Sequence, residues 1–99
     1  MTRSHYLYYA VDCAGSLALR QELRESHRAA LRRPDPHCRC VLGGPLLDVE
    51  GTMTGTALVF EAEHADAVAA FMANDPYVVG GLFETVEIRP WRLGLGAIA

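Results

Sequence analysis

Ninety-nine residues, 51% of them hydrophobic and 21% charged, supply enough chain for one hydrophobic core and too little for two, and the composition excludes a disordered segment. The formal net charge of -3 is spread over twelve acids and nine bases without long blocks of either sign, which argues against nucleic acid as a main partner, because phosphate binding takes a clustered positive excess. No run approaches the roughly 18 consecutive apolar residues of a membrane span, and the opening residues lead into a strand-like run without a signal-peptide layout, so the expectation is a soluble, cytoplasmic protein of one domain over 1–99, with its core at about 5–92.

In chain order, residues 5–12 (His5-Tyr6-Leu7-Tyr8-Tyr9-Ala10-Val11-Asp12) are aromatic and branched and predict a strand. Ala14-Gly15-Ser16 interrupts it, with Ser16 placed as a helix N-cap. Residues 17–33 follow a helical period in which Leu19, Leu23, Ser26 and Ala30 make one stripe for the core. Pro34-Asp35-Pro36 ends that helix, since proline cannot continue it and disfavours helical geometry in the residue before it. A second strand is expected at 38–43, running into Gly43-Gly44-Pro45. A loop containing Gly51 and Gly55 follows, then a third strand at 56–62. Helical spacing returns over 64–73 through Val68, Phe71 and Met72. Asn74-Asp75-Pro76-Tyr77 stops it and opens a short further turn, and a last strand spans about 83–91. The order strand, helix, strand, strand, helix, strand is that of a ferredoxin-like α+β fold, βαββαβ: a four-stranded antiparallel sheet with both helices on one face.

A sheet with one face in water alternates apolar and polar residues, and these strands do not. Leu7, Tyr9 and Val11 point one way and Tyr6, Tyr8 and Ala10 the other; Leu58 and Phe60 oppose Ala57 and Val59. Two short helices cover only one face, so the other predicts a homodimer with the sheets paired. The alternative is a face of water-tolerant tyrosines. The odd cysteine count (Cys13, Cys38, Cys40) fits reduced thiols. Cys38-Arg39-Cys40 beside His37 lacks a matching second pair, and the expectation is strand residues with no metal.

Arg20, Arg24 and His27 lie at i, i+4 and i+7 and form a stripe about a quarter-turn from the leucine stripe. A histidine there, with arginines one and two turns away, suits a proton carrier beside an anion-holding group. A solvated basic flank paired with Glu22 and Glu25 fits the spacing equally. Asp75 before Pro76 reads first as an N-cap with proline at the opening helical position; if it also reached His27, its carboxylate would fix the imidazole tautomer. His5, His37 and His64 read as surface or strand-end residues. No nucleophile stands out.

Taken together, the aromatic first strand, Arg20-x-x-x-Arg24-x-x-His27, Gly44-Pro45 after the second strand, the glycine-containing loop before the third, Asp75-Pro76-Tyr77 and the closing Arg89-Pro90-Trp91 resemble the YCII-related family, over roughly residues 5 to 92. The resemblance implies a dimeric α+β barrel and a site built on a His–Asp pair, His27 and Asp75, with the family arginine at Arg20 and Arg24, Thr56 and Tyr77 completing the substrate-binding set. One known type in the family removes chloride from a chlorinated hydroxyhydroquinone; most members have no assigned reaction. Two departures stand out: Gly55-Thr56 where Gly-Ser is commoner, and the loop bearing Pro34-Asp35-Pro36.

Three functions compete. One is an enzyme, a lyase or hydrolase working without a cofactor on a small anionic or aromatic molecule, with His27 as general acid/base, Asp75 as its orienter and Arg20 holding an oxyanion. A second is a non-catalytic dimeric module that binds a metabolite or accompanies another enzyme. A third is a haem-binding or oxygen-using barrel with His27 as the axial ligand.

Overall fold

The computed structural model describes residues 2–98. The chain runs β1 (Ser4–Asp12), α1 (Leu17–Leu31), β2 (Cys38–Leu47), β3 (Met53–Ala62), α2 (Ala65–Met72), α3 (Pro76–Val79) and β4 (Phe83–Trp91). The strands form one sheet in the order β2-β3-β1-β4, every neighbouring pair antiparallel. This is the ferredoxin-like βαββαβ arrangement expected from the order of the elements.

Three boundaries differ from the expectation for physical reasons. Helix α1 stops at Leu31, two residues early, because Arg33 precedes Pro34 and is pushed out of helical geometry; its guanidinium instead donates to the Phe71 carbonyl at 2.6 Å and lies 4.0 Å from the Phe71 ring. Strand β2 continues through Gly43-Gly44-Pro45 to Leu47. It is an edge strand, where a residue without an N–H is tolerated, and a register shift between Cys40 and Leu42 leaves Val41 without a counterpart on β3. Strand β3 begins at Met53, so the expected long loop contracts to a tight turn. There the Asp48 carboxylate accepts from the Glu50 and Thr52 amides at 2.9 and 3.0 Å, and Gly51 takes a φ of 86°.

Period two sets the two faces of the sheet. Tyr8, Leu58 and Ile88 are cross-strand partners on the helix-covered face, and Tyr8, Ala10, Leu58, Phe60 and Ala62 are buried there with Ala67, Val68, Phe71 and Met72 of α2. The opposite face presents Leu7, Tyr9 and Val11 of β1 beside Val59, Ala57 and Gly55 of β3, with Leu42 of β2 next to Val59; Tyr9 and Leu42 are 38% and 48% exposed.

The expected core stripe of α1 is not the buried one. Leu19, Leu23 and Ala30 are half-buried and Ser26 is exposed, whereas the buried residues of this helix are Arg20 and His27. The stripe read as flanking the core is the one that faces inward, and α1 packs mainly on α3. Ser16 occupies the N-cap position but makes no side-chain capping bond.

Candidate active site

Two buried polar assemblies sit between α1 and the sheet. In the first, Arg20 forms a bidentate pair with Asp12 at the end of β1, Nε to Oδ2 at 2.7 Å and Nη2 to Oδ1 at 2.8 Å, while Nη2 also donates to the Thr56 hydroxyl on β3 at 2.7 Å. Burial alone would lower the guanidinium's proton affinity, but the hydrogen bonds and charge of Asp12 outweigh it and hold Arg20 above its ordinary value, so it stays cationic. The fork geometry fixes the guanidinium plane. Because Thr56 Oγ1 accepts from Arg20, its own O–H is free to donate elsewhere.

In the second, His27 Nδ1 lies 2.8 and 2.9 Å from the two carboxylate oxygens of Asp75. An ionised carboxylate only accepts, so Nδ1 carries a hydrogen, and in the neutral imidazole the lone pair is then on Nε2. Asp75 is 0% exposed and also caps α3: its Oδ2 accepts from the Tyr77 amide at 3.0 Å, with Pro76 at the first helical position. The two roles weighed for Asp75 coexist, because a carboxylate has lone pairs enough for both donors. Tyr77 stacks on the His27 ring, centroids 3.9 Å apart at 16°, and its ring lies 4.7 Å from the Arg20 guanidinium carbon. One aromatic plate therefore braces both assemblies.

They open onto a common cavity of about 450 Å³, between α1 and the Cys40–Pro45 stretch of β2, with Arg20, His27, Thr56, Leu58 and Tyr77 in its walls and Arg24 at its rim. The volume suits a small molecule. Cys40 also borders it, but burial pushes its thiol up to about 11, and Cys38 likewise to about 11. Both are thiols and not thiolates at neutral pH, which removes them as ready nucleophiles.

A family model for the YCII-related domain matches residues 4–92. The chain belongs to the YCII-related family. Among YCII-related relatives, the protein YciI of Escherichia coli is 32% identical over 93 residues, 88% of this chain and 95% of YciI. An uncharacterized protein of Haemophilus influenzae is 28% identical over 94 residues, covering 89% and 96% of the two chains. Among solved structures, the 5-chloro-2-hydroxyhydroquinone dehydrochlorinase of Burkholderia phenoliruptrix, in complex with 2,5-dihydroxybenzoquinone, superposes with a TM-score of 0.78 at 34% identity over 91% of this chain and 95% of that one. A candidate antibiotic biosynthesis monooxygenase of Bacteroides thetaiotaomicron shares the fold, with a TM-score of 0.63 at 10% identity over 99% and 95% of the chains.

Within this YCII-related chain, the structure brings His27, Asp75, Arg20, Thr56 and Tyr77 into one buried cluster and leaves Arg24 exposed at the mouth. Arg20 pairs with Asp12 and not with Glu22, against the solvated-flank alternative. Asp12 is the site residue that sequence reasoning missed. A signal existed: period two from Tyr8 and Ala10 puts Asp12 on the helix-covered face, where an acid needs a partner. Arg28 and Arg32 at the rim were also missed, although they continue the four-residue spacing of Arg20 and Arg24.

Proposed function

We propose that this YCII-related protein is an enzyme that performs acid–base chemistry, without need of a cofactor, on a small anionic or aromatic molecule. The observation that carries the reading is the His27–Asp75 contact in the wall of a cavity: Nδ1 is tied to a buried carboxylate at 2.8 Å, leaving Nε2 as the free base. In an elimination, Nε2 takes a proton from the substrate, the released electron pair forms the new double bond, and the leaving anion departs. Asp75 stabilises the imidazolium that forms, while Arg20 and the Thr56 hydroxyl hold the substrate oxygen on which charge gathers. That the 34% identical structural neighbour is a dehydrochlorinase supports this class of reaction, a lyase-type loss of a small acid, over hydrolysis.

The open sheet face, with Leu7, Tyr9, Val11, Val59 and Leu42 side by side, supports a homodimer through that face, and unpaired thiols at Cys13, Cys38 and Cys40 fit the reducing cytoplasm. Sedimentation of a Tyr9→Asp variant, on the open face and away from the cavity, tests the dimer: a shift toward monomer is expected, and an unchanged mass would remove this face as the interface.

The test of the enzyme is chloride release from 5-chloro-2-hydroxyhydroquinone, followed with the wild type and His27→Asn. General acid–base groups contribute about 10²- to 10⁴-fold, so a loss of that size with an unchanged fold is expected. Full turnover in the variant would end the proposal.

A further inference from the structure

All nine basic side chains of this protein are arginines, and four of them, Arg20, Arg24, Arg28 and Arg32, border the one cavity described above. They are four residues apart, so each step rises about 6 Å along α1 and turns about 40°, carrying the row from the buried site to the mouth over roughly 18 Å. Asp12 neutralises the first member at 2.7 Å. Arg28 meets only the exposed Glu25, at 3.6 Å, a pair that water largely screens. Arg24 and Arg32 have no acidic partner among the described residues. No Asp or Glu among the described residues lines the cavity.

Like charges at i and i+4 oppose a helix, and this row repeats that arrangement twice within α1 and once more to its C-cap, Arg32. The opposite wall, Leu42 to Pro45 of β2, carries no charge and cannot compensate. Water screens the three exposed members, and an anion entering the cavity would meet several of them at once. A single oxyanion held at Arg20 and Thr56 leaves the outer arginines unused.

We infer that the ligand of this cavity carries two oxyanionic groups: one at the buried Arg20–Thr56 end beside His27, and a second, a carboxylate or a phosphate, gripped by Arg28 and Arg32 with Arg24 at the mouth. The inference rests on the cavity being the substrate site proposed above and names its substrate class, a small dianion. Arginine forks suit either group, since both offer paired oxygens, and the row also draws such a ligand inward along its own field.

The experiment is a calorimetric titration of the wild type and of Arg28→Gln/Arg32→Gln with benzoate, terephthalate and 4-carboxyphenyl phosphate, at low and moderate salt. Wild-type protein is expected to bind at least one of the two multiply charged probes about tenfold or more tighter than benzoate, as charge-assisted forks give, with the advantage shrinking as salt rises. A gain for terephthalate identifies a carboxylate as the second group, and a gain restricted to 4-carboxyphenyl phosphate identifies a phosphate. In the double variant that gain is expected to fall to within about threefold, with benzoate binding weakened less than that of either multiply charged probe. Equal binding of all three probes, no binding of any, or a gain that survives the double substitution overturns the inference. Binding is read without turnover, so a dianion preference in a protein that releases no product would break the enzymatic reading and leave this one standing.

Discussion

Helices α1 and α2 cover the same face of one sheet and do opposite things there. From α2, Ala67, Val68, Phe71 and Met72 are buried against Tyr8, Leu58, Phe60 and Ala62 in a dry apolar core. From α1, the buried residues are Arg20 and His27, held off the sheet by Asp12, Thr56 and a cavity. Two helices in equivalent topological positions have thus divided the work: one half of the layer supplies stability by excluding water, and the other supplies a rigid polar frame around a hollow. The difference teaches that the leucine stripe of α1 does not mark its buried face, because Arg20 and His27 turn inward around the cavity instead.

The comparison is broken most directly by removing an aromatic from the α2 half. Phe71→Ala deletes a ring that is 2% exposed, edge-on to Phe60 at 5.5 Å and covered by Arg33; a loss of about 3–5 kcal/mol is expected, the usual range for a core phenylalanine. Denaturant unfolding measures it. If the loss is below about 1 kcal/mol, where surface changes fall, the α2 half is not the stabilising half.

The polar half has its own way to fail. Asp12→Ala leaves the Arg20 guanidinium buried without its counter-ion, at an expected cost of about 3–5 kcal/mol. The Asp12→Ala/Arg20→Met pair should recover most of that, because a buried ion pair gains little over apolar side chains of similar size. Unfolding of the wild type, Asp12→Ala, Arg20→Met and the double variant closes the cycle. A double variant no more stable than Asp12→Ala would mean that Arg20 is held by Thr56 and Tyr77 without help from Asp12.

Alkaline titration compares the halves within one molecule, because Tyr8 sits in the dry core within the field of Asp75. Burial first, and then that carboxylate, push its phenol from 10.0 up to about 12. The folded state therefore holds the proton more tightly than the unfolded chain does. This contribution is intact below pH 10 and is lost as pH climbs from about 10 to about 12. A shift of that size corresponds to roughly 3 kcal/mol. Tyr77 is shifted upward too, again chiefly by burial, and adds to the same loss. Unfolding free energy against pH for Tyr8→Phe should lose part of the slope in that window, with the remainder left to Tyr77; an unchanged slope would mean that the Tyr8 phenol is wet.

How much of this the sequence showed follows the same division. Where a residue's environment is set by its own strand or helix, the reading held: the aromatic β1, the α2 residues Val68, Phe71 and Met72, and the span of β4 were legible because period and burial coincide there. It failed where a neighbour overrides the local pattern. Leu19, Leu23, Ser26 and Ala30 looked like a core stripe because leucine and alanine usually are, yet α1 turns its arginine and histidine inward since Asp12 and Asp75 wait there to satisfy them. Strand β2 passes Gly43-Gly44-Pro45 unbroken because an edge position forgives the missing N–H, and edge position is a property of the sheet. The partner of Arg20 lies eight residues back, in another element, and no helical spacing points to it.

The smallest expected effect on stability isolates the chemistry of the site. Asparagine caps a helix about as well as aspartate, so Asp75→Asn should keep the bond to the Tyr77 amide and change stability by less than about 1 kcal/mol, whereas Asp75→Ala should lose about 0.5–2 kcal/mol with the cap. The amide cannot serve His27 in the same way. With its single oxygen engaged at Tyr77, its NH₂ faces Nδ1, which must then present a lone pair, and the hydrogen moves to Nε2. The cavity-facing nitrogen becomes a donor where the proposed elimination takes a base. Turnover should therefore fall by orders of magnitude in a protein of nearly wild-type stability, as wrong-tautomer variants of histidine–aspartate pairs do, and nitrogen NMR of the imidazole should report the exchanged tautomer. A tautomer that stays put in Asp75→Asn would show that Asp75 holds α3 and has no say over His27, and the two assemblies of the polar half would then be structure alone.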